Sequence, residues 1–356
     1  MNIKLIDILP TALLVLVLWR MKPVKPIKSW NENYLSLETC RSWRGFFAVA
    51  VVLHHLSQLA KGGTIFYELI KIGILAVAVF FFFSGYGLQK QYMKSSNYQK
   101  RFLLRRLPAV LFPYIIITAV YWAVNAVFGT LYSPKEILVK TIVKGDPIVS
   151  YSWYILVILM FYLVFWLLML ACRKPWIMIL GGCIWYGLYV MFCMKMKYGI
   201  WWYNTAHLLP VGMFWAVYED KMLSLIKKSY RVTAPFVWTA FLLLFCFSKK
   251  IQAHIPINNI RLITETVTCL LFVLSLILFT LKFEIGNLVL NRLGSLSLEI
   301  YLVQGLFTMS LRQDGFILIK NDFVFSILVL AGSVLLGWGF HILNRKLLSG
   351  SQKRIK

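Results

Sequence analysis

The stretch RSWRGFFAVAVVLHHLSQL, Arg41 to Leu59, sets a guanidinium at Arg44 and imidazoles at His54 and His55 within an apolar run. Arg44 and His55 are eleven residues apart. At 100° per residue that is about three turns plus roughly 20°, so in a helix the two share one face, with His54 about 80° away. Their axial separation is about 16 Å at 1.5 Å per residue. A buried neutral imidazole is a capable general base when one ring nitrogen is held and the other accepts the proton. A guanidinium donates two parallel hydrogen bonds to phosphate or carboxylate. The spacing therefore predicts an anion-holding group at one boundary of a helix and a proton acceptor deep along the same stripe. His54 also reads as a satisfied core histidine, as do His207 and His341, while His254 reads as a loop residue.

Three further segments carry groups that a bland apolar helix would not need. Lys100-Arg101-Phe-Leu-Leu-Arg105-Arg106-Leu-Pro108 is a basic run in which Arg101 and Arg105, four apart, share a face and Arg106 lies 100° off. It serves equally as topology-setting flank or as a phosphate site. FFFFSGYGLQ, Phe80 to Gln89, places Ser84, Gly85, Tyr86 and Gly87 where helices can approach closely or unwind. Glu299, in LGSLSLEIYLVQG, is a carboxylate one turn into an apolar run. It needs a partner, for which Arg44 or Arg106 is expected, in a structural ion pair or a functional one.

These groups have to be positioned by membrane helices. The chain has 356 residues, 60% hydrophobic and 14% charged, against about 25% charged in soluble domains. One soluble core could not hide that much apolar surface, and disorder needs low hydrophobicity. The apolar runs are solid and longer than the alternating segments of about ten residues of a β-barrel. The fold class is thus all-α, a polytopic bundle of about ten or eleven transmembrane helices, with spans near 5–21, 43–60, 69–88, 107–128, 152–172, 176–194, 200–218, 232–248, 262–281, 294–312 and 322–343. Residues 130–150 are too polar to span and predict a short amphipathic helix at the interface. Alternate loops hold 25 of the 38 Lys+Arg. This puts those loops and the C-terminus inside and the N-terminus outside, with Asp7 near the outer end of the first span. A net charge of +25 suits this topology and anionic lipid headgroups rather than nucleic acid. The six cysteines form no CxxC pair, which argues against both a disulfide framework and a zinc site, so no metal is expected. Residues 1–20 lack a strong basic n-region and a cleavage site, and read as a retained span.

With these residues in place, the chain resembles the membrane-bound acyltransferase-3 family. Arg44-Gly45…His55 resembles its Arg-x10-His signature, FFFFSGYGL its aromatic-Ser-Gly segment, and RFLLRRLPAVLFPY its Arg-rich, Pro-containing helix start. Ser152-Trp153-Tyr154 resembles its Trp-Tyr span opening, and LGSLSLEIYLVQ its C-terminal Gly…Ser…Tyr-Leu segment. The five lie in order from about 40 to 345. The family core has ten spans, which makes residues 1–30 an extra N-terminal helix with a basic linker and 31–356 the acyltransferase-like domain. Two positions depart from the pattern. The second arginine of the family's Arg-x-x-Arg is Ala109, so phosphate binding leans on Arg101 or Arg105 beside Arg106. Gln304 stands where many members carry histidine, and an amide moves no proton at neutral pH.

The resemblance implies O-acylation, typically acetylation, of a cell-surface or lipid-linked carbohydrate in the cytoplasmic membrane of a bacterial cell, with acetyl-CoA or another acyl-CoA as donor. In that reading His55 is the base or a transient acyl carrier, and Arg44 binds CoA or orients the site. Arg101, Arg105, Arg106, Ser84 and Tyr86 hold the donor, threaded along one groove toward His55. His54, Trp153, Tyr154 and Glu299 are substrate-facing or structural. The rival reading is a transporter or flippase, against which stand the absence of a visible internal repeat and the scarcity of acids in the spans. A non-enzymatic lipid-binding scaffold is a third.

Overall fold

In hydrocarbon an apolar run can satisfy its backbone only within itself, so such runs become helices. The computed structural model describes residues 4–26, 28–95, 98–172, 174–254, 260–313 and 317–353, leaving out the side chains of Lys100, Arg101, Arg105, Lys249, His254, Gln313 and residues 349–353. Its helices are α1 Ile8–Leu18, α2 Leu37–Leu59, α3 Ile65–Glu68, α4 Gly73–Lys94, α5 Tyr98–Val127, α6 Pro134–Leu138, α7 Trp153–Ala171, α8 Pro175–Lys195, α9 Leu208–His254, α10 Ile260–Thr280, α11 Leu288–Ser295, α12 Ser297–Thr308 and α13 Asp322–Lys353. A two-residue pairing of β1 (Lys22–Pro23) with β2 (Phe283–Glu284) ties the segment after α1 to the end of α10. Seven helices among the described residues, α4, α5, α7, α8, α9, α10 and α13, are long and apolar enough to cross a membrane. The protein is an all-α polytopic bundle.

The exceptions are where the chemistry lies. Arg41, Arg44, His54 and His55 make α2 less apolar than those seven, yet Phe47, Val52, Leu53 and Leu56 on it are almost wholly buried. It is a central helix, packed on α1, α4, α11 and α12. Its side chains face protein, which is where polar groups at membrane depth are tolerated.

Three expected elements differ. The spans at 200–218 and 232–248 fall on α9, which is two helices joined directly across a kink at Tyr218. Glu219 pairs with Lys90 at one end of the bundle, whereas Gln252 donates to Thr264 at the other (2.9 Å). The connection at 219–231 is thus helical where a loop is expected. Residues 200–207 precede that helix as a short turn and loop, because Trp201, Trp202, Asn204 and Thr205 face a cavity rather than lipid. The span at 294–312 is interrupted at Leu296 and ends in a π-turn, Met309–Gln313. The interfacial helix expected in 130–150 is α6, started by the Ser133–Glu136 capping box and continued as a π-turn over Val139–Val143.

The N-terminal helix is latched in place. Leu9, Leu13 and Val17 form its buried face. Asp7, 1% exposed, accepts from the amides of Phe66 (2.8 Å), Thr64 (3.2 Å) and Lys4 (3.0 Å). Asp7→Ala strands these donors, and the expected loss is about 1–3 kcal/mol per buried unsatisfied group. Thermal unfolding in detergent should register it, with Asp7→Asn, which keeps one acceptor oxygen, losing less. An unchanged midpoint for the alanine variant counts against the latch.

Candidate active site

His55, 8% exposed, is held on two sides. Its Nδ1 lies 3.1 Å from Gln304 Oε1, and Gln304 Nε2 donates to the Tyr301 carbonyl at 3.2 Å. The second bond fixes which way the amide points. His55 Nδ1 therefore carries the hydrogen and Nε2 the lone pair, a tautomer assigned from this network. The ring also stacks on Tyr151, centroids 3.8 Å apart and planes within 10°. Tyr151 has a left-handed backbone, φ 65°, a conformation costing a non-glycine residue about 1–3 kcal/mol and concentrated at functional sites. Its carbonyl accepts from the Tyr301 hydroxyl. Tyr301 thus braces both neighbours of the imidazole.

His54 is placed differently. Its Nδ1 meets the Leu69 carbonyl at 3.1 Å and its Nε2 the Gln58 amide at 3.1 Å, so both nitrogens are occupied. It still lines the same cavity as His55.

Beside the Arg44–His55 stripe, where a single groove is expected, two adjoining cavities lie. One cavity, about 900 Å³, lies at the His55 end and is rimmed by the 140–151 and 197–205 segments. The other, about 620 Å³, lies at the Arg44 end. Val77 and Tyr301 line both. The hydrogen bond from Tyr301 to Tyr151 holds the phenol in the wall that the two cavities share.

The Arg44-end cavity is lined by Arg44, Ser84, Tyr86, Lys90, Lys94 and Arg106. Arg44 Nε is buried with no hydrogen-bond partner, an uncommon and costly state for a charged donor. Tyr86 donates to Glu219 (3.1 Å), so its hydroxyl is already engaged. The side chains of Arg101 and Arg105 lie outside the described residues. Trp153 and Tyr154 separate, Trp153 lining the His55-end cavity and Tyr154 the other. Glu299 does not meet Arg44 or Arg106. It is 5% exposed and accepts from His341 Nδ1 (2.9 Å) and Asn344 Nδ2 (3.4 Å), because its turn of α12 packs on α13. The carboxylate finds its partner one helix away from the cavity. Among the described residues no three His, Cys, Asp or Glu side chains gather as a metal site.

A family model described as "Acyltransferase domain", of the acyltransferase-3 type, matches residues 41–342. The chain belongs to the acyltransferase-3 family. No match is found among curated proteins or among solved structures. The match begins at the residue that opens the Arg44–His55 stretch and ends within α13, so the His55-end cavity lies inside it and the Arg44-end cavity does so except for Leu35, Leu37 and Cys40. This acyltransferase is therefore a membrane protein whose polar interior is shared between two spaces.

Three parts of the candidate site leave no mark in the sequence. Tyr151 is the first, because nothing in VSYSWY marks a left-handed residue. Gln304, expected to have no proton-moving task, holds the imidazole. Residues 200–205 fall inside the span expected at 200–218, although WWYNT is a run of amphipathic side chains of the kind that lines binding sites.

Proposed function

We propose that this membrane acyltransferase moves an acyl group, acetyl being the simplest, from acyl-CoA to a hydroxyl of a cell-surface or lipid-linked carbohydrate. The observation that carries the reading is the braced His55, one nitrogen fixed by Gln304, in a cavity that shares Val77 and Tyr301 with a neighbouring basic one. Acyl-CoA is a substrate whose nucleotide end is strongly anionic. Arg44, with its orphaned buried Nε, and Arg106, Lys90 and Lys94 suit its phosphates, and Ser84 and Tyr86 line the same space. The richer basic loops lie at this end, which supports a cytoplasmic donor side.

In the reaction, the acceptor hydroxyl oxygen attacks the thioester carbonyl carbon as His55 Nε2 takes the hydroxyl proton. A C–O bond forms, the C–S bond breaks, and the imidazolium returns the proton to the departing sulfur. Gln304 keeps Nδ1–H oriented and Tyr151 keeps the ring plane. The thioester has to reach the Val77–Tyr301 junction for this to occur, and Tyr301 is the group that must give way.

The test uses the full chain in lipid nanodiscs with radiolabelled acetyl-CoA and a panel of glycans, scoring label in the glycan and free CoA. Transfer supports the reading, and neither product overturns it. Arg44→Lys is expected to raise the KM for acetyl-CoA about ten- to a hundredfold, since charged hydrogen bonds contribute about 1.5–3 kcal/mol and an ammonium lacks the planar fork. An unchanged KM removes Arg44 from the donor site.

A further inference from the structure

Resting on the acyl-transfer reading, we infer that the His55-end cavity is an acceptor site built for a negatively charged saccharide, one carrying a carboxylate or a phosphate near the hydroxyl to be acylated. Three observations meet there.

The first is unpartnered polar atoms. Asn204 and Thr205, 1% and 0% exposed, both line the cavity. Asn204 Nδ2 is committed to Glu265 (2.8 Å), but Asn204 Oδ1 and Thr205 Oγ1 are buried without a hydrogen-bond partner. Natural proteins rarely leave such atoms unsatisfied, and a ligand hydroxyl is the group that would pair with them.

The second is an aromatic wall beside them. Trp201, 52% exposed, presents an open indole, as sugar rings with apolar faces require. Trp202 fixes the loop from behind, donating to the Gly145 carbonyl at 3.1 Å, so the two segments that rim the cavity are joined.

The third is charge. Lys140, Lys144, Lys197 and Arg261 line the cavity with Asp146 the one acid among its lining residues. Lys140 pairs with Asp146, and Arg261 with Glu265. Among the described residues Lys144 and Lys197 have no carboxylate partner. Topology signals gather basic residues at the opposite end of the bundle, so they do not explain these lysines. Lys197 moreover sits at φ 57°, a left-handed position that glycine or asparagine would fill at less cost, yet a cation stands there. Positive side chains around a partly enclosed space raise the local concentration of anionic ligands.

The experiment measures acyl transfer and, separately, saccharide binding by quenching of tryptophan fluorescence in the intact protein in nanodiscs. The probes are oligogalacturonate, a neutral galactose oligomer of equal length, and a sugar phosphate. The expected results are at least tenfold higher kcat/KM and tighter binding for an acidic probe, with the advantage shrinking as salt rises. The carboxylate and phosphate arms separate the two sources of charge. Lys144→Glu with Lys197→Glu is expected to bring the acidic-over-neutral ratio to about one or below. Equal use of neutral and acidic probes, or a ratio untouched by the double substitution, overturns the inference while leaving acyl transfer standing. Selective binding of acidic saccharides without any acetyl-CoA turnover does the reverse.

Discussion

His55→Ala is expected to lower acyl transfer by about 10³-fold, within the range a positioned general base contributes. Purified variant and parent are compared in the labelled acetyl-CoA assay at matched amounts of folded protein. His54→Ala, one residue away in the same cavity, is expected to stay within about tenfold, because both its nitrogens are committed to Leu69 and Gln58. Gln304→Leu belongs between them. It removes the acceptor for His55 Nδ1 and lets the ring turn, and one net hydrogen bond of about 1–1.5 kcal/mol corresponds to roughly tenfold in rate. That loss should fall on kcat with the KM for acetyl-CoA unchanged, which a merely unfolded fraction also shows, so the pH profile is the second readout. A ring no longer fixed in one tautomer shifts the acid limb of the profile. Full activity in His55→Ala would falsify the assignment of the base.

Gly212→Leu is expected to separate α4 from α9. A Cβ built at Gly212 falls under 3.0 Å from both the Phe82 carbonyl and the Tyr86 amide, and one at Gly85 meets the Leu209 backbone as closely. Neither neighbour is a side-chain tip that can swing aside. Two helices thus touch backbone to backbone, the small-residue packing that holds membrane helices together where no hydrophobic effect operates. Overpacking costs about 1–3 kcal/mol and occasionally more, and here the helices themselves have to part. Thermal unfolding in detergent should drop sharply, and acetyl-CoA binding should go with it, since α4 carries Val77, Ser84, Tyr86 and Lys90 of the cavity walls. Gly87→Ala is the control, for a Cβ there meets nothing within 4 Å. If both variants unfold alike, the close approach is not what joins the two helices.

Periodicity and composition made much of this architecture readable in advance. The solid apolar runs gave the all-α bundle, and the spacing of Arg44 and His55 gave a shared face on α2, because helical rotation depends on residue number alone. The interruption at Leu296 and the uninterrupted helix through 219–231 were not readable, since polar residues tolerate a helix at a membrane surface as well as a loop. Pairing was harder still. Glu299 was expected to meet an arginine, but which of several cations or imidazoles lies within reach is decided by helix packing, and it is His341. Tyr151 is the clearest case. Its contribution comes from a backbone conformation and a stacked neighbour 96 residues earlier in the chain, neither of which leaves a trace in residue type.

The paired chambers have a consequence for the cell as well as for the chemistry. A bilayer that stores an ion gradient cannot contain an enzyme with an open water column through it. Tyr301 and Val77 line both chambers, so on the acyl-transfer reading proposed above the donor and the acceptor would each have a compartment and would meet at this pair. On that reading only the small acyl fragment would have to pass the phenol, and the tightness of the membrane at this enzyme would then rest on one side chain.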